Sequence, residues 1–269
     1  MLVVCATPIG NLEDVTLRVL RELAEADLVL CEDTRRTRRL LDRHGIPARL
    51  LSYHEHNEAS RTAEVLPRLK AYERVALVSD AGLPGVSDPG ARLIRAALDA
   101  GVAVTVLPGA SAVETALVAS GLVSERYQFL GYLPRGAAAL TRLWEELAGW
   151  PWPAVAFESP QRLPATLRSL AAHDAERQVA VCRELTKRHE EIVEGEAAEV
   201  AARFAAAPKG EITLVFGPGR AGPAPGADVG VAADAVAELV GAGLGRRQAA
   251  DIVARLTGQA RKQLYDHSL

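Results

Sequence analysis

The 269-residue sequence is poor in cysteine and in aromatic residues, and each scarcity argues against a class of protein. Its three cysteines, Cys5, Cys31 and Cys182, lie within apolar segments and form no Cys-x-x-Cys pair. We expect buried thiols in a reducing compartment, with no catalytic role and no role in a metal site. Aromatic residues make up 4% of the chain, which argues against a stacking platform for single-stranded nucleic acid.

Long hydrophobic runs are also missing. No apolar segment reaches the roughly 18 residues of a membrane span, and a strand begins within two residues of the N-terminus, where a signal peptide would need a charged region and an apolar core. We therefore expect a cytoplasmic protein with no membrane partner. The net charge of −3 identifies no particular partner, but arginine is unevenly distributed. The segment CEDTRRTRRLLDRHG places five arginines on one predicted helix.

Two common phosphate-binding motifs are absent. The stretch from Gly85 to Gly90 has the glycine spacing of a P-loop, but Ala91 and Arg92 stand where Lys and Ser or Thr are required. Gly82, Gly85 and Gly90 do not form G-x-G-x-x-G either, so the dinucleotide fingerprint fails. In His54-Glu55-His56 successive side chains of an extended chain point to opposite sides. The three side chains therefore cannot bind one metal ion together, and we expect no metal site.

Short apolar runs alternate with amphipathic segments, which is typical of βα units. We predict an N-terminal α/β domain over residues 1–120. Because its apolar runs show no alternation, its strands should form a parallel sheet covered on both faces. The predicted strands are Leu2–Ala6, Leu28–Cys31, Val75–Ser79 and Val102–Leu107, and the predicted helices are Val15–Ala26, Thr34–His44, Ala59–Tyr72, Asp88–Ala100 and Ala110–Ala119.

A second α/β domain with a mixed sheet is predicted over residues 121–219. Its strands should be Gln128–Tyr132, Ala154–Glu158, Val179–Arg183 and Ile212–Phe216, with a hairpin around EEIVEGEAAE. Residues 220–269 should form a linker and a helical tail, because more than half of residues 217–230 are Gly or Pro. The last two predicted helices of the tail, Arg246–Leu256 and Gln259–His267, suggest a helix-turn-helix-like element. A simple helical cap with solvated arginines is the alternative.

Three Gly- and Pro-bearing loops follow predicted parallel strands: residues 7–14, 79–90 and 108–112. Open α/β sheets bind ligands at the carboxyl ends of their strands, so these loops should converge on one pocket. In VSDAGLPGVSDPG, Asp80 could accept hydrogen bonds from a ligand or merely shape the turn, and Gly82 would allow close backbone approach. Asp88 is expected to cap the following helix, with Pro89 at its first position.

Nine segments, in order, resemble the tetrapyrrole methylase superfamily and, within it, the bacterial 16S rRNA (cytidine 2′-O)-methyltransferases: ATPIGNLEDVTLR, CEDTRRTRRLL, LSYHEHNE, VALVSDAGLPGVSDPG, VLPGASAVETAL, FLGYLPR, FESPQRL, CRELTKRHEE and GEITLVFGP. The resemblance covers residues 1–218, and the helical tail is similar as well. It implies two α/β domains that bind S-adenosylmethionine in the cleft between them, and a homodimer. It also implies methylation of a decoding-centre cytidine in 16S rRNA, within the small ribosomal subunit.

The first loop, CATPIGNLED, differs from the VGAGPGD type of the porphyrinogen-modifying branch, and Ser79-Asp80-Ala81-Gly82 replaces a Gly-Asp-Pro sequence. Both differences favour the rRNA branch. A tetrapyrrole-type C-methyltransferase and a noncatalytic cofactor- or RNA-binding regulator remain alternatives.

The resemblance implies a set of cofactor contacts: Pro8, Gly10, Asp80, Ala81, Gly82, Pro84, Pro108, Gly109, Ser111, Glu158 and Ser159. Arginine forks suit phosphate oxygens, so the predicted RNA contacts are Arg35, Arg36, Arg39, Arg246, Arg247 and Lys262. Methylation of a ribose hydroxyl needs a group that orients it or accepts its proton. The candidates for that role are Asp33, Glu55 and Lys187, and neither a metal nor a metal ligand is expected.

Overall fold

The computed structural model describes residues 1–219, 229–257 and 260–268. Five short strands form the first sheet: β1 (Leu2–Cys5), β2 (Leu28–Cys31), β3 (Leu50–Ser52), β4 (Val75–Leu77) and β5 (Val104–Leu107). All neighbours are parallel, in the order β3-β2-β4-β1-β5. Along β1, Leu2 and Val4 belong to one core cluster and Val3 and Cys5 to another. The predicted parallel sheet with two covered faces is confirmed.

The helices of this half are α1 (Leu17–Glu25), α2 (Thr34–Arg43), α3 (Glu58–Lys70), α4 (Ala91–Asp99) and α5 (Ala112–Ala119). One strand was missed in this half, and one expectation is wrong. The strand β3 was not predicted, and Asp88 does not cap α4, because that helix begins at Ala91 with Gly90 as its N-cap. Gly90 has φ 145°, and its N–H donates to Glu58 Oε1 at 2.8 Å. A carboxylate from α3 therefore accepts the hydrogen bond at the start of α4.

The second sheet contains β6 (Gln128–Tyr132), β7 (Ala154–Glu158), β8 (Gln178–Arg183), β9 (Glu191–Glu196) and β10 (Ile212–Phe216). Its order is β6-β7-β10-β8-β9, and only the pair β6 and β7 is parallel. The mixed sheet and the β8–β9 hairpin are thus as predicted. Helices α6 (Ala137–Ala148), α7 (Leu163–His173) and α8 (Ala197–Arg203) cover it. Trp144 of α6 packs on Phe216 with ring centroids 5.4 Å apart.

Three helices form the tail: α9 (Val229–Gly241), α10 (Arg246–Thr257) and α11 (Arg261–His267). They share a small core of Val236, Ala249, Ala250, Val253 and Leu264. Most of the predicted linker, residues 220–228, and Gln259 at the predicted start of the last helix lie outside the described residues. Within the described ranges no helix combines the length and apolar character that crossing a membrane requires.

Candidate functional site

A cleft of about 1010 Å³ is lined by residues of both sheets and their loops. From the first half come the carboxyl ends of β1, β4 and β5, at Ala6, residues 80–83 and residues 108–112. From the second half come Phe157 and Ser159 at the end of β7, Cys182 of β8, and Ile212 and Thr213 of β10. The three predicted loops therefore do converge on one pocket, which the second half completes.

Close backbone contacts hold the three loops together. Thr7 and Gly82 exchange two backbone hydrogen bonds of 2.8 and 3.0 Å, and the Thr7 hydroxyl donates to the carbonyl of Ser79 at 3.1 Å. Gly82 has φ 76°, a left-handed conformation that favours glycine. A Cβ on Gly109 would lie 2.9 Å from Cβ of Ala6. At this edge of the cleft the loops after β1, β4 and β5 are therefore in close backbone contact.

Most of the predicted cofactor contacts line this cleft: Asp80, Ala81, Gly82, Pro108, Gly109, Ser111, Glu158 and Ser159. Pro8, Gly10 and Pro84 are not among the lining residues. Pro84 packs beneath Gly90, and Gly10 lies against the loop that follows β8, where a Cβ would come within 2.7 Å of Leu185 O. In the structure Gly10 joins the two halves of the chain.

Glu158 lies at the end of β7 with its side chain fully buried. Its Oε1 accepts from the Ser159 N–H and from Arg162 Nε, both at 2.6 Å, and its Oε2 accepts from Thr166 Oγ1 at 2.6 Å. Donors of the protein therefore contact both carboxylate oxygens. The arrangement fixes the turn that presents Ser159 to the cleft.

One end of the cleft is acidic. Asp80 accepts the Asp33 N–H at Oδ1 at 3.0 Å, and its Oδ2 lies 3.5 Å from Arg36 Nη1. Burial and the charge of Asp80 raise the pKa of Glu32. Burial, followed by the charge of Glu32, raises the pKa of Asp88 to about 6. Neither Glu32 nor Asp88 was predicted as a site residue, although Glu32 directly follows a parallel strand, the rule that identified the other loops.

A second polar group stands at the rim. Glu114 of α5 accepts hydrogen bonds from the Ser111 hydroxyl and from the Tyr127 hydroxyl, the latter at 2.5 Å. Burial would raise the pKa of Glu114, but these two hydrogen bonds outweigh it and the pKa is lowered. The carboxylate at this end is therefore held ionised.

The structure brings none of the three predicted catalytic residues into the cleft lining. Asp33 caps α2 and pairs with Arg35, which lowers the pKa of its carboxyl to about 2. Lys187 Nζ contacts Glu184 Oε1 at 2.9 Å and Glu211 Oε2 at 2.8 Å. Burial would lower the pKa of Lys187, but those two carboxylates outweigh it and the pKa is raised. Glu55 is exposed in the turn before α3.

The arginines of α2 differ in their surroundings. Arg36 lines the cleft beside Asp80, Arg35 is held by Asp33, and Arg39 is exposed. On the tail, Arg246 donates to the carbonyl of Ser268, whereas Arg247 and Lys262 are exposed. Of the three α2 arginines predicted to contact RNA, Arg36 and Arg39 therefore remain suited to phosphate.

The cysteines are buried thiols, as expected. Burial raises the pKa of Cys5 and of Cys182 to about 12, so both are neutral thiols at physiological pH. Among the described residues no group of three His, Cys, Asp or Glu side chains is arranged to hold a metal ion.

Comparison with known proteins identifies the chain as a methyltransferase. Residues 1–201 match the family model described as Tetrapyrrole (Corrin/Porphyrin) Methylases. A relative from Mesorhizobium japonicum, named ribosomal RNA small subunit methyltransferase I, is 45% identical over 264 residues, which is 97% of this chain and 88% of that protein. A relative of the same name from Thermotoga maritima is 44% identical and covers 80% of this chain and 97% of its own length.

Solved structures confirm the fold. The uroporphyrin-III C-methyl transferase from Thermus thermophilus, determined in complex with S-adenyl homocysteine, superposes with a TM-score of 0.59 at 18% identity, covering 80% of this chain and 96% of its own. Such a likeness establishes the two-domain α/β architecture predicted from the sequence.

Membership of a methylase family confirms the expected cofactor, S-adenosylmethionine. The residues present suit it: the cleft is large enough for a nucleoside-sized ligand, the rings of Phe129 and Phe157 offer an apolar wall, and the Asp80 carboxylate suits a cationic sulfonium. The chain belongs to the tetrapyrrole methylase family, and within it to the group whose curated members are named ribosomal RNA small subunit methyltransferase I.

Proposed function

We propose that this protein transfers a methyl group from S-adenosylmethionine to the 2′-hydroxyl of a decoding-centre cytidine in the 16S rRNA of the small ribosomal subunit. The observation that carries the proposal is the 45% identity to a ribosomal RNA small subunit methyltransferase I over 97% of the chain. The choice of a cytidine and of its ribose oxygen rests on the sequence resemblance described above.

The position of helix α2 supports an RNA substrate. The helix begins at Thr34, directly after Glu32 and Asp33, so its first turn stands at the rim of the cleft. Arg36 faces the cleft and Arg39 is exposed one turn further on. A nucleotide whose ribose enters the cleft carries phosphates on both sides, and arginine binds phosphate oxygens while leaving the sequence of bases unread. Arg247 and Lys262 of the tail are proposed as additional phosphate contacts.

The chemistry proposed is an in-line displacement. S-adenosylmethionine, when bound, supplies an electrophilic methyl group on a sulfonium. The protein must hold the ribose hydroxyl in line with that methyl group, keep competing water out and accept the proton of the hydroxyl. The backbone edge formed by Thr7, Gly82 and Gly109 is rigid enough to fix the cofactor side, because each contact there is tight. The aromatic rings of Tyr132 and Phe157, 5.5 Å apart, can restrict water at the other wall.

We also propose a homodimer that acts in the cytoplasm, where small subunits are assembled. Sedimentation at micromolar concentration should give twice the chain mass of 28.6 kDa, and a monomer would contradict the proposed assembly state.

The decisive experiment compares small-subunit rRNA from wild-type and deletion strains by mass mapping of every nucleotide. In the deletion strain one decoding-centre cytidine should be lighter by the mass of one CH₂ group, the difference between O–CH₃ and O–H on its ribose. Purified protein should restore that methyl group on reconstituted 30S particles. Full modification in the deletion strain would contradict the proposal. Transfer of labelled methyl groups to a porphyrinogen, with none to 30S particles, would support the alternative C-methyltransferase.

A further inference from the structure

Asp88 stands in the cleft because its loop adopts an unusual backbone conformation. Within six residues Gly85, Ser87 and Gly90 all have positive φ, at 88°, 63° and 145°. A left-handed conformation is unfavourable for serine, and such strain concentrates at functional positions. The conformation removes Asp88 from the start of α4 and places it in the lining of the cleft.

Most other carboxylates of the cleft have strong partners. Asp80 is next to Arg36, Glu158 is held by Arg162, and Glu211 accepts from Lys187. Glu114 accepts from two hydroxyl groups. For Asp88, in contrast, no Lys or Arg lies within salt-bridge distance in the part of the chain that the structure describes.

The groups that face Asp88 come from four elements. Glu32 follows β2, Asp80 and the Ser79 hydroxyl follow β4, and Tyr132 belongs to β6, whereas Arg36 of α2 acts on the cluster through Asp80. Burial and the negative charge of Glu32 raise the pKa of Asp88, and the Ser79 hydroxyl opposes them. The result, about 6, is close to the physiological pH at which a general base is most effective.

We propose that Asp88 is the proton acceptor for the ribose hydroxyl, an inference that rests on the proposed function. The O–H bond of the hydroxyl breaks as its proton moves to the Asp88 carboxylate. The electron pair left on oxygen forms the new O–CH₃ bond, while the S–CH₃ bond breaks and its electron pair stays on sulfur. Asp88 then releases the proton to water, and the products are 2′-O-methylated RNA and S-adenosylhomocysteine.

The test uses the full-length protein with reconstituted 30S particles. The variant Asp88→Asn keeps the shape of the side chain but cannot accept the proton, Asp88→Glu keeps the carboxylate, and Asp99→Asn on the exposed end of α4 is the control. We expect kcat of Asp88→Asn to fall by about 10²–10⁴-fold and that of Asp88→Glu to fall less. Cofactor affinity, measured by calorimetry, should stay close to wild type in all three variants.

Two further measurements separate a proton acceptor from a structural residue. The logarithm of kcat/KM of the wild type, which reports groups of the free enzyme, should rise with unit slope up to a pH of about 6 and then level off. Asp88→Asn should lose that rising limb. In the free protein labelled with ¹³C at aspartate carboxyls, one resonance should titrate near the same pH and be absent from Asp88→Asn. This second readout needs neither cofactor nor RNA.

The outcomes are distinguishable. If Asp88→Asn folds and keeps its kcat, with only KM for the particle raised or cofactor affinity lost, the assignment to proton transfer is overturned. If Asp88→Asn fails to fold, the pH profile of Asp88→Glu and the carboxyl titration of the wild type decide; a profile without an acidic limb overturns the assignment. A wild-type protein that methylates no rRNA would overturn the proposed function itself, and this inference with it.

Discussion

The backbone N–H of Asn11 donates a hydrogen bond to the hydroxyl of Thr186 at 3.0 Å and so joins the loop after β1 to the loop after β8. The accepting loop is strained, since Glu184 and Thr186 have φ of 54° and 64°. Glu184 is held in that loop by Lys187 Nζ and by the Glu211 N–H, each at 2.9 Å. Lys187, one of the predicted catalytic residues, thus stabilises the contact between the two halves of the chain.

Substitution of Gly10 should weaken that contact. In Gly10→Ala the new Cβ would lie 2.6 Å from Lys187 Cγ and 2.7 Å from both Leu185 O and Thr186 Oγ1. We expect a loss of about 1–3 kcal/mol in the free energy of unfolding, as for other overpacked sites, and weaker cofactor binding. Urea unfolding and calorimetry measure the two effects. Gly149→Ala is the control, because φ there is −87° and the nearest atom, Glu146 O, is 4.0 Å away; equal destabilisation by both changes would contradict the explanation.

Loss of the Asp80 side chain should reduce cofactor affinity. Asp80 lines the cleft and links the Asp33 N–H to Arg36, so its removal disturbs both the acidic end and the start of α2. We expect Asp80→Ala to bind S-adenosylmethionine about tenfold more weakly, equivalent to about 1.4 kcal/mol. Titration calorimetry on the purified variant gives this value directly. An unchanged Kd would remove Asp80 from the cofactor contacts.

The α2 arginines should determine the salt dependence of RNA binding. Arg36→Gln and Arg39→Gln should each reduce the slope of log K against log salt by about 0.7–0.9, the release expected for one phosphate contact. Filter binding to 30S particles over a series of salt concentrations measures the slope. The matched control is Arg95→Gln on α4, whose side chain pairs with Asp99; the same change in slope for all three variants would indicate a general charge effect.

The raised pKa of Asp88 has a consequence for stability. The pKa of Asp88 is higher in the folded protein than the ordinary value of 3.8 for an aspartate. Protonation of this carboxyl therefore favours folding, and its ionisation opposes folding. This contribution is therefore lost as pH rises from about 4 to about 6. We expect Asp88→Asn to melt at a higher temperature than the wild type at pH 8 and at nearly the same temperature at pH 4. Calorimetric scans at the two pH values check this, and a lower melting temperature at pH 8 would contradict it.

The sequence predicted the buried strands best. The bounds of β2, β7 and β10 match the prediction because each is a dense apolar run of mostly buried residues. The bounds of β6 match as well, although that strand is exposed at both ends. β3 was missed since its three residues are only half-buried and its identity as a strand depends on pairing with Val29, Leu30 and Cys31 of β2. Such pairing is a tertiary contact that no local pattern reveals.

The same division applies to the site. Convergence of the three loops followed from one rule about parallel strands, and it required no knowledge of side chains. The roles of Gly10 and Glu158 could not be predicted, because each depends on partners from another element, such as Leu185 and Thr166. The neighbours of Asp88 in the sequence predicted that it would cap α4. In the structure Ser87 and Gly90 have positive φ, Gly90 is the N-cap, and Asp88 lines the cleft.

The strand order of the first sheet also bears on synthesis at the ribosome. β1 leaves the exit tunnel first, yet it lies between β4 and β5, which are made some seventy and a hundred residues later. The hydrogen bond from the Asn11 N–H can form only after Thr186 has been synthesised, and Glu184 can accept from the Glu211 N–H only after Glu211 has been synthesised. Domains tend to fold as units while the chain grows, so the first sheet can close well before the cleft that both halves line exists. The nascent chain should therefore gain affinity for S-adenosylmethionine only after β10 has emerged, which makes the cofactor a ligand of the nearly finished protein.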